Sequence, residues 1–95
     1  MKLLGKDKTD AFKTKHAMAR SQIAAWVTEV EKATWSTPHH MKARYPTADP
    51  IGSLNTVFNI CGNKYRIWVQ ISYEHQIVNI KAVGTHEEYE KWNIK

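Results

Sequence analysis

Val57-Phe58-Asn59-Ile60-Cys61-Gly62-Asn63-Lys64-Tyr65-Arg66-Ile67 decides the fold of this chain. Two runs rich in Val, Ile, Phe and Tyr flank Gly62-Asn63, which is the composition of two strands joined by a two-residue hairpin loop. A loop at Gly62-Asn63 pairs Cys61 with Lys64, Ile60 with Tyr65, Asn59 with Arg66, Phe58 with Ile67 and Val57 with Trp68. Opposed residues share a face, so Phe58, Ile60, Tyr65 and Ile67 point to one side and Asn59 and Arg66 to the other.

The next segment extends the sheet. Thr56–Ile60, Lys64–Ile71 and His75–Val83 all read as strands, with Tyr73-Glu74 at the tip of the second hairpin. That loop pairs Ile67 with Ile80, Val69 with Val78, Arg66 with Lys81 and Trp68 with Asn79. Val69, Ile71, Val78 and Ile80 then join the apolar face chosen by the first hairpin, and a slip of one residue in either would bury charge. The opposite face carries Asn59, Arg66 and Lys81 in one row and Val57, Trp68 and Asn79 in the next, with Lys64 toward the turn. Directly opposed cations repel, so an Arg–Lys pair beside an Asn suggests that an anion docks between them. The competing expectation is a merely solvated face on an antiparallel sheet covered on its other side.

Upstream, the pattern turns helical. Residues 7–19 are polar and helix-tolerant, with Phe12, His16 and Ala19 on one stripe. From Ser21, a candidate cap, Ile23, Trp26, Val27, Val30 and Ala33 recur at helical spacing. Residues 2–5 suit a short first strand. Residues 34–55, broken by Pro38, Pro46, Pro50 and Gly52, read as irregular apart from a helical turn near His40–Arg44. His39, His40, Lys42 and Arg44 make this either a basic loop touching phosphate or a solvated connector. Helices followed by strands indicate an α+β fold, and 95 residues suit a single domain, residues 1–95.

Composition narrows the function. The formal charge of +5 makes an anionic partner plausible. A lone cysteine, Cys61, forms no internal disulfide and suits a reducing, cytoplasmic compartment. The opening MKLLGKDKTD resembles neither a signal peptide nor an anchor, and no apolar run approaches the ~18 residues that span a bilayer. No membrane partner is expected. His39-His40 has poor ligand geometry and the histidines are scattered, so neither a metal site nor another cofactor is expected.

The last strand runs into Gly84-Thr85-His86-Glu87-Glu88-Tyr89-Glu90-Lys91-Trp92. Thr85 followed by Glu87 and Glu88 is a helix start; His86 shares a face with Tyr89, and Glu88 with Lys91. RNA carries its own nucleophile, the 2′-hydroxyl. Cutting it without a metal takes a base, an acid and cations for the developing charge. Histidine suits either proton role, Tyr, Lys or Glu the counterpart, and Arg66 the phosphate.

The stretch from Val57 to Ile67, followed by Val83-Gly84-Thr85-His86-Glu87-Glu88-Tyr89, resembles the HigB-like toxins of the RelE superfamily. That family shows a VFN-x-x-GN-x-x-R strand pair and a THxEY terminus. The likeness reaches upstream to Trp26, Ala33-Thr34-Trp35 and Ala48-Asp49-Pro50. It departs at Glu90, where the family often has Asp, and at His16-Ala17, where a His-Pro pair is frequent. The resemblance implies two N-terminal helices packed on one face of a small antiparallel sheet, with a short C-terminal helix. It implies mRNA cleavage, often on the ribosome, and a HigA-type antitoxin partner through which operator DNA is contacted. Carried over by motif, Arg66, His86 and Tyr89 are the catalytic candidates. Asn59, Lys64, Trp68, Lys81 and Lys91 are candidate RNA contacts. Two other functions fit the same chain: a silent RNA- or ribosome-binding module, and an interaction domain whose basic face docks an acidic protein.

Overall fold

The computed structural model describes residues 1–62 and 64–94. Strand β1 (Lys2–Leu4) leads into helix α1 (Lys6–Lys15), a single 3₁₀ turn at Ala17–Ala19, and helix α2 (Arg20–Lys32). Helix α3 (Pro38–Arg44), strands β2 (Asp49–Ile51), β3 (Asn55–Ile60), β4 (Tyr65–Ser72) and β5 (Ile77–Thr85), and helix α4 (His86–Glu90) follow. The five strands form one sheet in the order β1-β5-β4-β3-β2. The fold is α+β as expected, but the sheet is mixed, because β1 pairs parallel with β5. A hydrophobic pattern sets which face a strand presents and leaves its neighbour open, so the parallel edge had no signature. Strand β2 lies within the segment read as irregular. It contains Pro50, which lacks an N–H for the ladder, and it survives because it is an edge strand.

The apolar faces meet in one core. Ile23, Trp26 and Val30 of α2 and Phe12 of α1 are buried with Phe58, Ile60, Ile67, Val69, Ile71, Val78 and Ile80. Trp26 sets its ring edge-on to Phe58, centroids 5.3 Å apart, a favoured aromatic geometry. At 2% exposure, Trp26 on its own carries ~3–5 kcal/mol by truncation. Every residue assigned to the apolar face lies in this core or against it.

Helix α1 can pack so close to β5 because of Gly5. It sits at φ +84, and a Cβ there would come within 2.7 Å of the Ile80 carbonyl oxygen. Only glycine meets both demands. The α1 helix ends at Lys15, earlier than the stripe suggested. Helix α3 starts at Pro38, with the Thr37 hydroxyl accepting from the His40 N–H, so it begins two residues ahead of the expected turn. Its Arg44 pairs with Glu29, to which the Tyr45 hydroxyl donates at 2.7 Å. The basic connector is thus clamped to α2 rather than loose. The Tyr45 hydroxyl above all, with help from Arg44, holds the Glu29 carboxyl below its usual range against the opposing effect of burial.

The first hairpin has the register read from sequence: Ile60 with Tyr65, Asn59 with Arg66, Phe58 with Ile67, Val57 with Trp68. Its loop residue Asn63 lies outside the described residues. The second hairpin does not have the expected register. Ser72 pairs with Ile77 across a four-residue connection, Tyr73 to Gln76, with Gln76 at φ 56. Val69 therefore faces Ile80 and Ile71 faces Val78, two residues from the expected pairs. A shift of two preserves the faces, which is why the core was still correctly read. Between Trp68 and Val69 the ladder slips again, and Lys81 becomes the extra residue of a bulge. Trp68 faces Ala82 and Arg66 faces Gly84.

Candidate active site on the second face of the sheet

The bulge at Lys81 dissolves the expected Asn59–Arg66–Lys81 row. Lys81 is exposed and does not oppose Arg66. The second face is not a solvated surface either. Arg66 is only 8% exposed, Asn55 7% and Val57 1%, and Val57 stands outside the main core cluster. The C-terminal segment covers part of this face, with the Tyr89 ring against the Arg66 guanidinium. Trp92 lies over Gly84 and within 6.1 Å of the Trp68 ring, centroid to centroid. A glycine opposite Arg66 leaves the room that the Trp92 ring occupies.

Helix α4 is placed by short-range chemistry. The His86 N–H donates to the Lys64 carbonyl at 3.0 Å, tying the helix start to the first hairpin. The Thr85 hydroxyl accepts from the Glu88 N–H, and the Glu88 carboxylate accepts from the Thr85 N–H, a capping box. The Thr85 backbone N–H, ahead of the Thr85 hydroxyl, His16 and Lys15, holds the Glu88 carboxyl below its usual range against the opposing effect of burial.

This cap directs one side of α4 at Arg66. Arg66 Nη2 lies 3.0 Å from His86 Nδ1, and its guanidinium carbon sits 5.2 Å from the centre of the Tyr89 ring. The His86 and Tyr89 rings are 6.2 Å apart, and His86 Nε2 is 3.0 Å from Glu90 Oε1. Tyr89 in turn meets Trp92 edge-on at 5.9 Å. A cavity of about 200 Å³ opens alongside, lined by Ile51, Tyr89, Glu90, Trp92 and Ile94. A buried cation, an imidazole and a phenol so arranged can bind a phosphate and pass protons to and from its oxygens.

Arg66, His86 and Tyr89 are therefore brought together. Trp68 belongs to the same face, linked through Trp92; its Nε1–H donates to Asn55 Oδ1 at 2.9 Å, as does Gln70 Nε2 at 3.3 Å. Asn59 is in register with Arg66, but its amide N–H donates to the Thr47 carbonyl, pinning the loop before β2. Lys64 and Lys91 are exposed near the two ends of the α4 segment. Three residues of this face were missed. Glu90 had a signal, its four-residue spacing from His86, and Trp92 a weaker one, three residues past Tyr89. Asn55 had none, since only the tertiary approach of Trp68 gives it a task. His16 lies elsewhere, stacked on Phe12 at 4.2 Å in a cleft of about 380 Å³ with Lys8, Lys15 and Glu88.

Among the described residues, no three His, Cys, Asp or Glu side chains gather to hold a metal ion. No described helix is long and apolar enough to cross a membrane.

An α+β fold with a five-stranded mixed sheet, N-terminal helices and a short C-terminal helix is consistent with a RelE-like protein. The chain belongs to the HigB toxin family, the RelE-like toxic component of a toxin–antitoxin system, whose model matches residues 19–92. It is 30% identical over 78 residues to the mRNA interferase toxin HigB of Escherichia coli K12, covering 80% of this chain and 75% of that one. The mRNA interferases HigB of E. coli O157:H7 and of Shigella flexneri match to the same extent.

Proposed function

We propose that this chain is an mRNA interferase: an endoribonuclease that cuts mRNA, on the ribosome, and is silenced by a HigA-type antitoxin. The observation that carries the reading is the contact of Arg66 with both His86 and Tyr89. A module that only bound RNA would gain from the guanidinium but has no use for a proton carrier held against it.

In the proposed reaction the scissile phosphate docks on Arg66, whose planar donors suit two phosphate oxygens at once. The adjacent 2′-hydroxyl attacks phosphorus, the bond to the 5′-oxygen breaks, and a 2′,3′-cyclic phosphate and a 5′-hydroxyl result. One proton leaves the 2′-oxygen and one reaches the 5′-oxygen, and His86 and Tyr89 are the groups placed to move them. Arg66 stabilises the charge that grows on the phosphoryl oxygens. Lys64 and Lys91 meet flanking phosphates, and Trp68 and Asn59 line the approach. Lys81, displaced by the bulge, serves at most a distant phosphate. RNA supplies the nucleophile and the side chains the proton transfers, so the reaction calls for neither metal nor other cofactor. Cytoplasmic residence accords with the single Cys61 and an mRNA substrate. Operator DNA is reached through the antitoxin.

The test is induction of the wild-type chain and of folded Arg66→Gln and His86→Ala variants, with mapping of mRNA ends. Growth arrest and new 5′-hydroxyl ends are expected of the wild type alone. Full toxicity in both variants would refute the assignment.

A further inference from the structure

Among the described residues, Glu90 is the charged group in contact with His86 that the reaction above leaves idle. Its Oε1 is 3.0 Å from His86 Nε2, one helical turn along α4. On the other edge of the same ring, Arg66 Nη2 is 3.0 Å from Nδ1. A guanidinium has donors and no acceptor, so Nδ1 must accept, and the ring proton sits on Nε2, where it is donated to Glu90. The two nitrogens are thereby assigned: Nε2 to the carboxylate, Nδ1 to the side where Arg66 and an arriving phosphate meet. An isolated pair of this spacing on an exposed helix does little. This one is coupled through the ring to a guanidinium that the fold holds almost wholly buried.

We propose that Glu90 is a positioning residue that makes Nδ1 the reactive nitrogen of His86. The inference rests on the mRNA-cleaving reading. When a phosphate engages Arg66, the Nδ1 lone pair is left facing the 2′-hydroxyl and takes its proton. The 2′-oxygen bonds to phosphorus, the bond to the 5′-oxygen breaks, and that oxygen takes a proton from the Tyr89 hydroxyl. The two side chains return to their starting states by exchanging protons with water. The Glu90 carboxylate holds the imidazolium by its Nε2–H, the part a carboxylate plays behind the histidine of a serine hydrolase.

Two measurements on the full chain test this. In ¹⁵N-labelled protein, the wild type should show a hydrogen-bonded His86 Hε2 proton, lost in Glu90→Ala to exchange with water and kept in Glu90→Gln. In single-turnover cleavage of a defined mRNA in a translating extract, with toxin in excess, Glu90→Ala should lower the maximal rate roughly 10- to 100-fold, within what proton transfer contributes. The half-saturating concentration should hold. Glu90→Gln keeps the acceptor without the charge and should stay slow, whereas Glu90→Asp should recover most of the rate. Glu87→Ala, on the same helix but outside this contact, should behave as wild type in both measurements. A Glu90→Ala protein that cuts at the wild-type rate, loses only affinity, or keeps the Hε2 signal overturns the proposal. A wild type that cuts nothing overturns the functional reading instead, and the Hε2 comparison then still decides whether Glu90 positions the ring.

Discussion

Gly84→Ala should disable the site without touching any side chain in it. Gly84 faces Arg66 across the β4–β5 ladder. A Cβ at this position would stand 2.8 Å from Trp92 Cζ2, 3.1 Å from Glu88 Cβ and 3.3 Å from Trp92 Cη2. Contact between carbons is comfortable at about 3.5–4.0 Å, so the ring must retreat by roughly 0.7 Å or more. Trp92 can swing only by giving up its contacts with Trp68 and Tyr89, and Glu88 Cβ moves only with the helix backbone. Overpacking of this kind costs ~1–3 kcal/mol, and the lower half of that range fits here because Trp92 is partly exposed and α4 is a short terminal element. For a domain of this size each kcal/mol lowers Tm by about 4–8 °C, so a fall of about 4–16 °C is expected by circular dichroism. Cleavage should drop further than stability, since a shift of about 1 Å in positioned groups can cost 10²-fold. A Gly84→Ala protein with wild-type Tm and wild-type cleavage would refute the packing of α4 on this face.

Thr85→Ala removes the hydroxyl of the capping box and should cost ~1 kcal/mol, read by urea denaturation, with more effect on cleavage than a surface change such as Glu74→Ala. Acid should loosen the fold by a predictable route. Glu88, held down mainly by the Thr85 N–H, and Glu29, held down mainly by the Tyr45 hydroxyl, both titrate below the usual 4.5 when folded. Their contribution is present above the unfolded value and is lost as pH falls through the folded ones. Denaturation midpoints should therefore decline below about pH 4.5, and the decline should flatten in Glu29→Gln and Glu88→Gln; an unchanged profile in both would contradict those contacts. Lys64→Ala and Lys91→Ala should each lower RNA affinity and reduce the salt slope by about 1, measured by filter binding, while the maximal cleavage rate stays near that of the wild type.

The first hairpin was legible because a turn-forming dipeptide between two apolar runs fixes the offset of the strands, and Ile60–Tyr65 through Val57–Trp68 pair with that offset. The second was not. Tyr73-Glu74 has no comparable turn chemistry, and the connection takes four residues with Gln76 in the left-handed region. The core was still readable, because an offset of two residues leaves every side chain on its face. The cation row was not, since it needed register rather than parity and the Lys81 bulge has no pattern of its own. The helical spacing of His86 and Tyr89 was visible in the sequence. The burial of Arg66 was not, because it depends on the tertiary approach of the α4 segment, whose His86 and Tyr89 lie against the guanidinium, contacts that local pattern does not record. Glu90 looked like a departure from the family motif until its carboxylate was found against His86.

If the Arg66–His86–Tyr89 cluster cuts mRNA, removing its imidazole should end the cutting. The most direct measurement is the cleavage of one defined mRNA in a translating extract by wild type and by His86→Ala, with folding of both verified by circular dichroism. The wild type should give discrete cuts bearing 2′,3′-cyclic phosphate and 5′-hydroxyl ends, and the variant should lose roughly 10²–10⁴-fold in rate. Equal cutting by the two folded proteins, or ends of another chemistry, would contradict that role of the cluster.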